Sequence, residues 1–151
     1  MATIREQIVE RVVAAIAGGS PPVGLTVHRE RTRPIELDDL PAVVVKDAKE
    51  SKPRPIQSNY KAPFVEREIS IVLEFRAKGS SGVSPDQAID PLYAYAMVQI
   101  FKDESFGGLA NGVEEGETEW RAKEGDTLLA ASTTHLSIKY RTSRIDPSSR
   151  T

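Results

Sequence analysis

From Phe64 to Lys78 the chain reads FVEREISIVLEFRAK, with apolar and polar side chains alternating almost throughout. Val65, Ile69, Ile71, Leu73 and Phe75 share one parity, and Glu66, Glu68, Ser70, Glu74 and Arg76 share the other. That is the period of a long β-strand with one face buried. Val72 is the one apolar residue on the wet parity of its central part, and Arg67 falls on the apolar parity. Fifteen extended residues reach about 50 Å at roughly 3.3 Å each. A compact domain of this length has a diameter of about 38 Å. One end of the strand is therefore expected to lie beyond the core. An unpaired buried guanidinium is costly, so Arg67 points to the Phe64–Glu68 end, with Ile69–Phe75 beneath the helices. A bulge near Glu66 that resets the parity is the alternative.

Two helical patterns flank this strand. Thr3 and Glu6 form a T-x-x-E capping box ahead of Ile4, Ile8, Val12 and Ile16, so a helix is expected over Thr3–Ala17. Gly18 and Gly19 permit a left-handed cap, and Ser20-Pro21-Pro22 forces a turn. Ser84, Pro85 and Gln87 supply the cap, the first-turn proline and the N3 partner of a second helix reaching about Lys102. Its stripe is Ile89, Leu92, Tyr93, Ala96, Ile100 and Phe101. Pro91 predicts a kink, or a restart capped by Asp90.

The remaining strands are expected at Leu25–Arg31, at Pro41–Val45, at Val113–Ala122 and at Thr127–Thr142, the last two joined by a turn at Glu124-Gly125-Asp126. In the last of them Leu128, Ala130, Ser132, Thr134, Leu136, Ile138 and Tyr140 share a parity. Residues 47–63 hold three prolines and no periodicity, and read as a loop arm. The expected order is α-β-β-β-α-β-β: an α+β two-layer sandwich, mainly an antiparallel sheet with two helices on one face. Residues 1–144 form a single domain in this reading, and 145–151 a polar tail that frays.

Composition narrows the chemistry. The 151 residues carry a formal charge of -2, so no global basic field favours nucleic acid or an anionic membrane. Cysteine is absent, which removes disulfides, thiolate metal sites and cysteine nucleophiles. The N-terminal helix is punctuated by Arg5, Glu6, Glu10 and Arg11, unlike a signal peptide or a membrane span, and a soluble cytoplasmic protein is expected. His28 and His135 lie on strands without metal-ligand spacing, and neither a nucleophile elbow nor a glycine-rich phosphate loop occurs. No catalytic residue, cofactor or metal site is assigned, and the reading is of a non-enzyme.

Two groups of charge remain. Glu114, Glu115, Glu117 and Glu119 crowd one strand, where 115, 117 and 119 would share a face that repulsion turns toward solvent or a cationic partner. Lys49, Lys52, Arg54 and Lys61, with Tyr60 among them, make the arm mildly basic and a candidate partner-contacting loop.

Taken together, the opening helix MATIREQIVERVVAAIAG, LPAVVV, the VEREISIVLEFRA strand, the DPLYAYAMVQIF helix and the closing GLANGVEEGETEWRAKEGDTLLAASTTHLSIKYRT resemble the phage tail terminator family, of the minor tail protein U type. The resemblance spans nearly the whole chain, and its most specific part is the acidic strand ending in Glu119-Trp120, followed by a long strand with Tyr140-Arg141 near its end. It implies a homo-oligomeric, hexameric ring that caps the tail tube protein, stops tube polymerisation and presents a surface to a head-completion or neck protein. In that role DNA is passing cargo, no cofactor or membrane is involved, and the protein passes from host cytoplasm during assembly to the virion tail. Phe64, Glu66 and Arg67, with the four glutamates, would then face a neighbouring subunit or the ring lumen. A head-side neck or connector ring is the alternative, and a small soluble α+β enzyme or ligand-binding domain a third.

Overall fold

The structure, a computed structural model, describes residues 2–22, 24–29, 40–56, 63–79, 82–122 and 129–150. Their order is α1 (Ile4–Ala17), β1 (Thr26–Arg29), β2 (Ala42–Glu50), β3 (Arg54–Pro55), β4 (Phe64–Lys78), α2 (Pro85–Phe101), β5 (Gly112–Ala122) and β6 (Leu129–Ser143). The strands form one mixed sheet, β1-β2-β4-β6-β5, with β3 beside β4. Only the β1–β2 pairing is parallel among the described residues. The chain is an α+β sandwich of two layers.

The alternating stretch is the strand its pattern predicts, with the same bounds, and it pairs with β6 without a break from Phe64↔Ser143 to Lys78↔Leu129. Ile69, Ile71, Leu73, Phe75 and Ala77 are buried on one face, alongside Ala130, Leu136, Ile138 and Tyr140 of β6. Both helices cover that face. α1 contributes Ile4, Ile8, Val12 and Ile16, and α2 contributes Ile89, Leu92, Ala96 and Ile100, to one continuous core. Phe75 and Tyr93 meet edge to face with ring centres 6.1 Å apart.

The Phe64–Glu68 end does not project, and no bulge resets its parity. β6 pairs with it on one side and β3 on the other, through Arg54↔Glu66 and Pro55↔Val65. Val65 is buried, and the Arg67 guanidinium is satisfied because its Nε donates to Thr142 Oγ1 at 2.8 Å. The segment after β6 closes this end. The Ile4 amide donates to the Pro147 carbonyl at 3.0 Å and the Ser143 amide to that of Ser149 at 2.6 Å. Residues 145–150 are tied back rather than frayed.

Four local expectations change. The arm at 47–63 begins as strand: β2 runs on to Glu50, and charged residues with a register shift between Asp47 and Lys49 hide its period. Gly18 ends α1 in a right-handed conformation. Gly19 is needed for space, since a Cβ there would stand 2.7 Å from the Tyr95 hydroxyl, which donates to the Ile16 carbonyl. Thr3 caps α1, but the Glu6 carboxylate turns to Arg29 rather than back to the cap. The box at Ser84 and Gln87 is complete, and α2 runs unbroken through Pro91 with no restart at Asp90. The turn at 124–126 lies outside the described residues.

Ile71 and Leu136, paired and fully buried, mark the middle of the core. Ile71→Ala is expected to lower unfolding stability by about 3 kcal/mol, measured by urea denaturation at unchanged slope.

Candidate assembly surface

β5 is the outermost strand on its side of the described sheet. Its pairing steps regularly to Glu115↔Leu136 and resumes at Thr118↔Thr134, so Gly116 and Glu117 together oppose His135. This is a β-bulge. A Cβ on residue 116 would lie 3.2 Å from the His135 carbonyl oxygen, a tight contact that glycine avoids.

The bulge separates the four glutamates. Glu115 lies opposite Leu136 on the helix side, where its carboxylate accepts from the Tyr93 hydroxyl. That bond, with burial as the second cause, pushes the phenol up to about 12. Glu114 lies opposite Ser137 and Glu119 opposite Thr133, on the uncovered side. A single acidic face built from 115, 117 and 119 is therefore not formed. The inserted residue shifts the parity, and the signal for it was the lone glycine inside VEEGETEW.

The same shift turns Trp120 to the helix side, opposite Ser132, and on this outermost strand it is 52% exposed. With Asp86, Gln87 and Asp90 of α2 it lines a hollow of about 480 Å³. From that hollow an apolar track runs along the outer face of α2 through Pro91, Ala94, Val98 and Phe101, all exposed. The spacing is helical, so the four residues lie on one face. Helix α2 is thus apolar on its outer face as well as its inner one. Phe101, expected on the buried stripe of this helix, is instead 37% exposed on its outer face, while Ala94 and Val98 carried no expectation and Trp120 entered only through the resemblance. The sequence DPLYAYAMVQIF, apolar on all sides of a helical wheel, held the signal for the outward track.

At the opposite corner of the sheet the basic arm meets the start of β4. Lys52, Arg54, Glu66 and Arg67 line one crevice together with Ser51 and Glu68. Lys49 lies farther along β2, opposite Ser70. Phe64 is half-buried at the strand's end, opposite Ser143. Tyr60 and Lys61 lie outside the described residues. Residues 52–56, Lys-Pro-Arg-Pro-Ile, are all exposed.

The sheet face away from the helices is polar. Glu74 is well shielded there, with its side chain 13% exposed, and it accepts from Lys46 Nζ at 2.7 Å and from Arg76 Nε at 2.5 Å. Burial works to raise the Glu74 pKa, but the two cations outweigh it and hold the carboxyl below its ordinary value. Farther along the same face Ser137 donates to Glu68.

No helix among the described residues is long and apolar enough to cross a membrane. No protein-family model matches this sequence, and no curated protein matches it.

Because the folded carboxyl of Glu74 titrates below the unfolded one, its stabilisation is complete above the unfolded pKa and is lost as pH falls through the folded value. Glu74→Gln is expected to cost about 1–2 kcal/mol at pH 7 and to flatten the acid limb of a stability–pH curve, read by thermal unfolding between pH 3 and 7.

Proposed function

We propose that this chain is a structural subunit that assembles into a homo-oligomeric ring, caps a phage tail tube and offers a surface for head joining. The observation that carries the reading is the outer face of α2. A folded domain with a complete core still exposes Val98 at 57%, Phe101 at 37% and Trp120 at 52%. Contiguous apolar surface of this kind is removed from water by association. The resemblance of the chain's segments to tail terminators supplies the kind of assembly, with a tail tube protein and a neck protein as partners and DNA as cargo. The role involves no reaction and no cofactor. In it the basic arm and the glutamates of β5 serve as contact surfaces.

Light scattering on the eluting protein across a concentration series, alone and with purified tail tubes, is expected to give a closed ring mass, reached at lower concentration when tubes are present. Val98→Glu should leave the unfolding transition within about 0.5 kcal/mol while reducing the ring fraction. A strict monomer at every concentration, with tubes as without, would remove the reading. Rings that bind head vertices and ignore tubes would move it to the head side.

A further inference from the structure

The hollow beside Trp120 and the exposed arm at 52–56 have complementary chemistry. One offers an indole and the carboxylates of Asp86 and Asp90, none of which takes part in an ion pair or side-chain hydrogen bond recorded among the described residues. The other offers two prolines, an exposed Ile56, and the cations Lys52 and Arg54, likewise without an ion pair among the described residues. Prolines pack on aromatic rings in extended-peptide recognition, and guanidinium groups bind both indole faces and carboxylates. A volume of about 480 Å³ suits a few side chains of such a segment.

A single copy cannot make this contact with itself. β3 flanks β4 at Glu66, whereas Trp120 lies opposite Ser132, which pairs with Phe75, beyond β6 at the other end of the strand. The two sites are separated by about 30 Å along the strands and about 14 Å across them. A contact between different patches on two identical subunits is head-to-tail, and it generates a ring when its rotation closes.

We infer that the Lys52–Ile56 arm of one copy seats in the Asp86–Asp90–Trp120 hollow of a second copy, forming the repeating junction of the assembly. This rests on the ring reading and specifies its contact. Arg54 lies between the indole and the Asp90 carboxylate, and Pro53 and Pro55 lie against the ring.

Trp120 is the one tryptophan in the chain, so its emission reports the junction directly. Two variants divide the contact: Lys52→Ala/Arg54→Ala keeps the hollow, and Asp90→Ala/Trp120→Ala keeps the arm and has no tryptophan. Sedimentation velocity is expected to show each alone as a monomer and an equimolar mixture as a one-to-one dimer. Adding the tryptophan-free variant to the other should shift the Trp120 emission to the blue, and 1 M salt should weaken the dimer at least tenfold. The dimer in the mixture also shows that both variants fold. Rings that persist in either variant, or a mixture with no dimer and no shift, would overturn the junction while leaving the ring reading in place. A wild-type protein that never leaves the monomer would overturn both.

Discussion

The fold depends on one constraint, the uninterrupted antiparallel register between β4 and β6. Because each pair fixes which side chains face the helices, a slip of one residue would exchange Ile69, Ile71, Leu73 and Phe75 for Ser70, Val72, Glu74 and Arg76. No other pairing in the sheet carries so large a penalty for error. β2 takes its register from β4 and β5 takes its register from β6, each with one irregularity, while the central pair has none. The helices then pack on a surface already determined by the two long strands. Even the polar cluster at the far end follows from it: Tyr140, opposite Arg67, is buried with its hydroxyl donating to Glu50, which also pairs with Arg5 of α1. Burial first, then that carboxylate, keeps the phenol protonated far above the physiological range.

Much of this was legible in the sequence, and the reasons differ by element. β4 could be read because its alternation is dense in β-branched and aromatic residues and one face is fully covered. α2 began where Ser84, Pro85 and Gln87 placed it because capping is a local interaction, complete within four residues. β2 was cut short after Val45 because Lys46, Asp47, Lys49 and Glu50 contain no apolar signal; their strand pairing is supplied by β4, a partner distant in sequence. Arg67 misled for a related reason. Its parity was read correctly, but the Thr142 hydroxyl that satisfies it comes from another strand. Gly19 is expected from the sequence as part of a left-handed cap, whereas in the fold it makes room for Tyr95 and Gln99, again a tertiary effect.

The candidate surface was harder to read than the fold. Charge drew attention to the glutamates, and the bulge at Gly116 then placed them on different sides. What the folded chain leaves exposed is apolar: an outward track on α2 that amphipathic reasoning would assign wholly to the core. A helix that satisfies the buried face of its own domain with Ile89, Leu92, Ala96 and Ile100 has no internal need for Val98 and Phe101. Packing within the domain accounts for the inner four and not for those two.

The bulge in β5 has a further consequence, for solubility. An outermost strand offers unpaired amide and carbonyl groups to any other extended chain, which is how sheets grow into fibres. At Gly116 and Glu117 that ladder loses its regular step, and glutamates on both sides of the break place negative charge along the same edge. A strand arriving from another molecule would meet an irregular template and repulsion from its acidic side chains. Growth by strand addition at β5 is thereby disfavoured.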